Sequence, residues 1–368
     1  MEIKKKIDAW FKHFHAHPEI SYQEVKTTEK LTEILAGMGV TYKTFDNVTG
    51  VVAEIGEGKE IIAIRADIDA LWQEVDGVYQ ANHSCGHDAN IAMVLGALSY
   101  LKDEPLEGKI RFIFQPAEEQ GNGAVAMVER GVIDDVSYLF GVHLRPIEEI
   151  PHGKVLPAIH HGAAAFLEGK IIGVDAHGAR PHQGKNVVDP LFAIHQFIKT
   201  MYFSPFEAYS VKMTKMQAGG NNVNIIPGSA TFAIDTRAQS NAVLDELMEK
   251  VNEGIQAIGK LYGVEIETEW KDYTPAAEVS EEASEIATAA ILETVGEVGY
   301  APSVITAGSD DFHFYTIHRP ELKAAMLGIG ADLQPGLHHP KMTFNTEALD
   351  IGARVLAATL KKALAREK

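Results

Sequence analysis

The chain has 368 residues, 46% hydrophobic and 23% charged, an ordinary balance for a soluble globular enzyme and long enough for two or three domains. Its formal net charge of −18 argues against nucleic acid or an anionic membrane as a partner, and no run of ~18 apolar residues would span a bilayer. One cysteine and no secretory pattern at the start point to a reducing cytoplasm.

Residues 3–38 predict helices broken at His17-Pro18, with apolar spacing at Ile7, Trp10, Phe11 and Phe14, then at Leu31, Ile34 and Leu35. "GVVAEIG" (50–56) and "EIIAIRADID" (60–69) predict strands, dense in β-branched residues. A buried helix (89–101), a strand (109–116), a helix (123–133) and a strand (138–144) follow, and such alternation implies a mostly parallel sheet. The pattern then changes to strand (166–178), helix (187–203), two strands (210–220, 229–238), a long amphipathic helix (241–263) and a strand (264–273). That is the ferredoxin-like split-βαβ order. Helices over 281–296 and near 346–365 return to the first pattern. The expected fold is α/β: a mostly parallel central sheet with helices on both faces, interrupted by a small α+β domain. The expected boundaries are 1–163, 164–275 and 276–368.

Ligands of an α/β sheet sit at the carboxyl ends of its strands, and the candidate groups fall there. Asp67 and Asp69 end one strand, Glu118 and Glu119 follow another in "QPAEEQ", and His143 ends a third in "FGVHL". "NHSCGHDAN" (82–90) precedes a helix and brings Cys85 and His87 to the same edge. Cys85 has three readings. A buried structural thiol suits a lone cysteine, but its neighbours are Ser, Gly, His and Asp. A nucleophile would need a histidine and an orienting acid less adjacent in sequence than His87 and Asp88. A metal ligand fits best, and a mixture of S, N and O donors suits Zn²⁺, Mn²⁺, Co²⁺ or Ni²⁺ rather than Ca²⁺ or Mg²⁺. Alone, Cys85-Gly86-His87 is a weak signal.

The motifs taken together resemble those of the two-metal aminoacylase and carboxypeptidase family. They are most similar to its amidohydrolase branch of hippurate hydrolases, auxin-conjugate amidohydrolases and N-acetyldiaminopimelate deacetylases. "HAHPEISYQE" (15–24), "IRADIDALWQE" (64–74), "HSCGHDAN", "QPAEE", "GVHL", "GARPHQGKNVVDP" (178–190), "GGNNVNIIPGSATFAIDTR" (219–237), "AGSDDFHFY" (307–315) and "GLHHPKMTFNTEAL" (336–349) match in order and spacing. The resemblance implies a zinc-peptidase-like catalytic domain with an inserted dimerisation domain. It implies two divalent ions, Zn or Mn first and Co or Ni next, held by Cys85, His87, Glu119, His143 and His338, with Cys85 shared. Glu118 matches the general base, and Asp69 would orient His87. Asp67 reads equally well as a strand cap.

His177, Asn224 and Arg237 match substrate-side positions, with His177 reaching the site of the other subunit of a homodimer. Arg237 also reads as an inter-strand salt bridge. The implied reaction is hydrolysis of an N-acyl amino acid or peptide-like conjugate, the alternative being a dipeptidase or carboxypeptidase on the same scaffold. The chain departs from the branch at Asn90 (usually His), Trp72-Gln73 (usually Leu-Pro), Asp175-Ala176 (usually Gly-Gly) and Asp310 (usually Glu). None is expected to touch the metal ligands, so the departures bear on the substrate pocket.

Overall fold

Ile7 and Phe14 are buried on one side of α1 (Glu2–Ala16), and Leu31 and Leu35 on one side of α2 (Val25–Gly37). These are the apolar positions that the 3.6-residue period requires of helices lying against a sheet. The computed structural model describes residues 2–366. The chain folds as two units, one of residues 1–160, 278–305 and 310–368, the other of 161–277 with 306–309.

In the first unit β1 (Thr41–Phe45), β2 (Val48–Gly56) and β3 (Ile61–Asp67) are followed by a hairpin of β4 (Leu71–Val75) and β5 (Val78–Asn82). Then come α3 (His87–Leu101), β6 (Lys109–Gln115), α4 (Gly123–Val128), β7 (Tyr138–Pro146) and β8 (Val155–Leu156), and β9 (Ile159–His161) runs from the first unit into the second. In the second unit the order is β10 (Ala163–Ile172), β11 (Ala176–His177), α5 (Val188–Lys199), β12 (Tyr209–Ala218), β13 (Ile225–Ile226), β14 (Ser229–Ala238), α6 (Asn241–Tyr262) and β15 (Glu265–Thr274). The chain returns through α7 (Glu281–Gly299), β16 (Val304–Thr306), α8 (Phe314–His318), β17 (Lys323–Leu333) and α9 (Ala348–Arg366).

The seven-stranded sheet runs β1-β2-β6-β3-β7-β17-β8, and its four central strands β6, β3, β7 and β17 are parallel. One apolar layer, with α3, α7 and α9, covers one face, and a second, with Met127, Phe312 and Tyr315, covers the other. Strands buried on both faces carry continuous apolar runs; β3 is buried throughout. The second unit is an antiparallel sheet in the order β12-β14-β10-β15, with Leu191, Ile194, Leu247 and Val251 of α5 and α6 packed on it. Among the described residues, no helix is long and apolar enough to cross a membrane.

Three local expectations are corrected. The helix expected over 123–133 stops at Val128, and Gly131 at φ 69° lies in the turn that follows. The strand expected over 166–178 ends at Ile172, so His177 lies on the separate β11. His143 lies within β7 rather than at its end. The hairpin β4–β5 and the central strand β17 were not expected at all.

Candidate metal centre

The loops after β5, β6 and β17, the start of α3 and the middle of β7 bring Cys85, His87, Glu118, Glu119, His143 and His338 together. Gly86, at φ 91°, makes the turn into α3 and His87 is the first residue of that helix. Glu118 and Glu119 form a single 3₁₀ turn after β6. His338 is left-handed, at φ 64°, in the loop after β17.

Cys85, His87 and His143 have donor atoms within 4.8 Å of one another, and so do Cys85, Glu119 and His338. The thiol is common to both groups. His87, Glu118 and Glu119 form a third. Cys85 Sγ is 3.6 Å from His143 Nε2, and His338 Nε2 is 3.5 Å from Glu119 Oε1. His87 Nε2 lies 3.7 Å from Glu118 Oε2 and 3.9 Å from Glu119 Oε1.

The two buried imidazoles are oriented for ligation. His87 donates from Nδ1 to the Asp69 carbonyl at 2.9 Å, with Asp69 Oδ1 at 3.2 Å, and His143 Nδ1 donates to the Leu144 carbonyl at 2.7 Å. In the neutral ring each Nε2 then carries the lone pair that points into the cluster. His87 Nε2 and Glu119 Oε1 are buried with no hydrogen-bond partner among the described residues. Buried polar atoms are seldom left so, and thiol, imidazole and carboxylate are the donors a borderline divalent cation takes. The residues therefore fit a metal pair.

The electrostatics show what the donors lack. Burial, then Glu119, pushes the Cys85 thiol well above its usual range. Burial, then Asp310 and Glu119, raises the Glu118 carboxyl well above the usual carboxylate range. Burial lifts Glu119 to about 7 against the pull of His87. Burial lowers His143 to about 4. Burial also opposes charge on His87, but Asp67 and Cys85 outweigh it and hold that ring well above its ordinary value. Burial and Asp69 have the same relation in the other direction: hydrogen bonds from His87 and Ser21 keep the Asp69 carboxylate below its usual range. Several acids and a thiol packed this closely ionise together only when positive charge joins them.

One such charge is built in. Arg65, fully buried in β3, donates from Nη1 to Asp67 Oδ2 at 2.5 Å, from Nη2 to Asp311 Oδ1 at 2.7 Å and from Nε to Gln115 Oε1 at 2.8 Å. Its Nη2 is also 3.3 Å from Asp310 Oδ1. Asp67 accepts from Asn90 Nδ2 as well, at 2.8 Å, so it belongs to a buried ion network and is not a strand cap. Arg65, Gln115 and Asp311 lie inside the quoted motifs "IRADIDALWQE", "QPAEE" and "AGSDDFHFY", but residue type alone gave them no role there. Two departures from the family do reach the site, contrary to expectation. Donor oxygens of Asp310 lie within 4.8 Å of those of Glu118 and of the His143 ring in two further groups, and Gln73 Nε2 donates to the His338 carbonyl at 3.1 Å.

His177, Asn224 and Arg237, expected on the substrate side, belong to the second unit. His177 pairs with Ile225 across β11 and β13, and its Nδ1 accepts the Ala179 N–H at 3.0 Å. The Asn224 carbonyl accepts the Gly178 N–H at 2.7 Å, which sets it beside His177 on the same ribbon. Arg237 is engaged at all three nitrogens: Nε is 3.2 Å from Asp235 Oδ1, Nη2 3.4 Å from Asp235 Oδ2 and Nη1 3.4 Å from the Ala307 carbonyl.

Residues 63–362 match the pattern of peptidase family M20/M25/M40. The chain is similar to N-acetylcysteine deacetylase of Bacillus subtilis (strain 168), 32% identical over 93% of each chain. It is 31% identical to IAA-amino acid hydrolase ILR1-like 4 of Arabidopsis thaliana, over 94% of this chain and 82% of that one. Among solved structures it superposes on the Bacillus subtilis YXEP protein, a dinuclear metal binding peptidase from the M20 family, with a TM-score of 0.84, 26% identity and 99% of each chain covered.

Proposed function

This chain belongs to peptidase family M20/M25/M40, and on that premise we propose that it cleaves the amide bond of N-acyl amino acids or related amino-acid conjugates. It is a metal-dependent amidohydrolase. The observation that carries the reading is the common position of Cys85 in two donor groups, which suits a thiolate shared between two ions. Two divalent ions, zinc or manganese in this reading, held by Cys85, His87 and His143 and by Cys85, Glu119 and His338, would lower the pKa of a water and polarise the scissile carbonyl.

The chain's own residues do the rest. Glu118 takes the proton of the attacking water on a carboxylate oxygen and returns it to the leaving amine. Burial, then its neighbours Asp310 and Glu119, makes the carboxylate a stronger base, as that task requires. Asp69 holds the His87 ring in its ligating orientation. Because His177 Nδ1 accepts a backbone N–H, the neutral ring carries its proton on Nε2, a donor for the developing oxyanion. Asn224 takes the substrate's carboxylate or acyl oxygen, and Arg237 does so by exchanging Asp235 for it. We further propose a homodimer formed through the inserted domain, residues 164–275, with His177 serving the partner's site; an edge strand such as β12 offers the unpaired backbone groups that such pairing uses. The enzyme acts in the cytoplasm in this reading, where a ligand thiol stays reduced.

A panel of N-acetyl, N-benzoyl and dipeptide substrates, assayed on chelated enzyme repleted with Zn²⁺, Mn²⁺, Co²⁺ or Ni²⁺, tests it. Chelation should abolish activity and repletion restore it, with N-acyl amino acids turned over above dipeptides. A preference for dipeptides would move the assignment to a dipeptidase. Loss of activity on thiol alkylation with indifference to chelators would make Cys85 a nucleophile. Cys85→Ala should lose at least one ion with its circular dichroism unaltered.

A further inference from the structure

The turn that carries Glu118 and Glu119 is built on a left-handed residue. Ala117 is fully buried at φ 55°, a region that costs little for glycine and more for alanine. The loop has no slack behind it: a Cβ on Gly123 would meet the Pro116 carbonyl oxygen at 1.7 Å, and the Gly123 N–H donates to the Ala117 carbonyl at 3.2 Å. Such a backbone persists only where its surroundings impose it.

The imposing contacts come from one short segment, "SYQE", residues 21–24, remote in sequence from the turn. Glu24 is buried, with Oε1 accepting the Ala117 N–H at 2.9 Å and Oε2 accepting the Thr49 hydroxyl at 2.5 Å. The Ser21 hydroxyl donates to Asp69 Oδ2 at 2.6 Å, and the same oxygen accepts the Glu119 N–H at 3.0 Å. Tyr22, itself left-handed at φ 61°, donates from its hydroxyl to Asn122 Oδ1 at 2.6 Å. The turn is therefore held before, at and after its two carboxylates. Burial, eased by the Thr49 hydrogen bond, pushes the Glu24 carboxyl up to about 6, a cost that a residue serving only to fill space would not carry.

We propose that Glu24 is a positioning residue for the reaction: through the Ala117 N–H it fixes the left-handed backbone that aims Glu118 and Glu119 in different directions. It touches neither substrate nor metal. The inference rests on the reading of Glu118 as base and Glu119 as ligand, because only then do the two directions matter.

The test compares Glu24→Ala, Glu24→Gln and Thr49→Val in the metal-loaded full chain. It measures kcat, KM, metal content and hydrogen exchange over residues 116–122. Glu24→Ala should lower kcat by about 10²-fold, the scale of a small misplacement, with KM little changed. Exchange at the amides of 117–120 should quicken while the rest of the chain exchanges as in the wild type. Glu24→Gln keeps an acceptor for Ala117 and should restore most of kcat. Should Glu24→Ala fail to fold, Thr49→Val loosens the same carboxylate without emptying the site, and a smaller fall in kcat with faster exchange at 117–120 is expected. Unchanged exchange at 117–120 in both Glu24→Ala and Thr49→Val, or a Glu24→Gln variant as slow as Glu24→Ala, overturns the proposal. A Glu118→Gln variant with wild-type kcat would instead overturn the base assignment, and the exchange measurement on the Glu24 variants is independent of that result.

Discussion

His338 donates its backbone N–H to the carbonyl oxygen of Ser84 at 2.8 Å, so the loop carrying the last candidate ligand hangs from the residue before Cys85. On its other side the His338 carbonyl accepts from Gln73. Asn82 Nδ2 donates both to Gln73 Oε1 at 2.7 Å and to the Pro340 carbonyl at 3.1 Å. The His338 side chain is 54% exposed, so its placement depends on a left-handed backbone pinned at both ends.

Removing one pin should be read at one ion. Gln73→Leu deletes a hydrogen bond worth about 1 kcal/mol, so the more weakly held ion should dissociate about fivefold more easily. Competition with a graded chelator measures this ion by ion. Equal affinities in variant and wild type would show that Ser84 and Asn82 hold the loop without Gln73.

Glu118→Gln keeps size and polarity but cannot take up a proton. Its kcat should fall at least ~10²-fold with both ions retained by elemental analysis. Glu119→Gln should lose metal as well. The reverse pattern, metal lost from Glu118→Gln and kept by Glu119→Gln, exchanges the two roles.

Arg65 is the cation beneath the site, and its removal leaves Asp67, Asp310 and Asp311 buried without it. Arg65→Met should destabilise the first unit by about 3–5 kcal/mol, the range for breaking a buried ion pair. Urea unfolding checks the figure. A variant as stable as the wild type would mean that the acids are neutral there.

The raised Glu24 carboxyl predicts a pH dependence of stability. Its value in the folded chain is about 6 against an ordinary 4.5. The folded state therefore binds the proton more tightly, and that stabilisation is present below pH ~4.5 and lost as pH rises through ~6. The amount is about 2 kcal/mol. Glu24→Gln cannot titrate, so relative to wild type it should gain up to that amount between the two pH values. Parallel stability curves for the two proteins would contradict the shift.

Mixing inactive His177→Ala with inactive Glu118→Gln chains, under conditions that exchange subunits, should restore part of the activity. A mixed dimer has one site with both groups intact. Mixtures as inactive as the parents, with exchange verified, would place the action of His177 within its own chain.

What the sequence made legible was chemistry carried by residue type within short motifs. Cys85, His87, Glu118, Glu119, His143 and His338 stand in peptides whose donors are unusual for a loop, and the structure gathers them. The supporting residues were not legible, because their partners are distant: Arg65 and Asp311 are 246 positions apart, and Glu24 and Ala117 are 93. The strand β17 was missed for another reason. "KAAMLGIGADL" is apolar on both faces and rich in alanine and glycine, so it lacks the period of a half-buried strand and has a single β-branched residue, Ile329. Its register with β7, Lys323 opposite Tyr138 through Gly330 opposite Arg145, is settled by burial on both sides.

That strand also orders events during synthesis. β17 lies between β7 and β8 in the sheet but leaves the ribosome after the whole inserted unit. Until then β7 presents an open edge, and β8, whose partner in the sheet is β17, has nothing to add to. The nascent chain already holds Cys85, His87, Glu119 and His143, yet His338 follows β17. A growing polypeptide thus carries a thiol and two imidazoles in an unfinished pocket, with a bare strand beside it that invites pairing with a neighbouring chain. The four strands of the inserted unit's sheet all precede β17, so that sheet can close while the catalytic half still waits for its carboxyl-terminal segment.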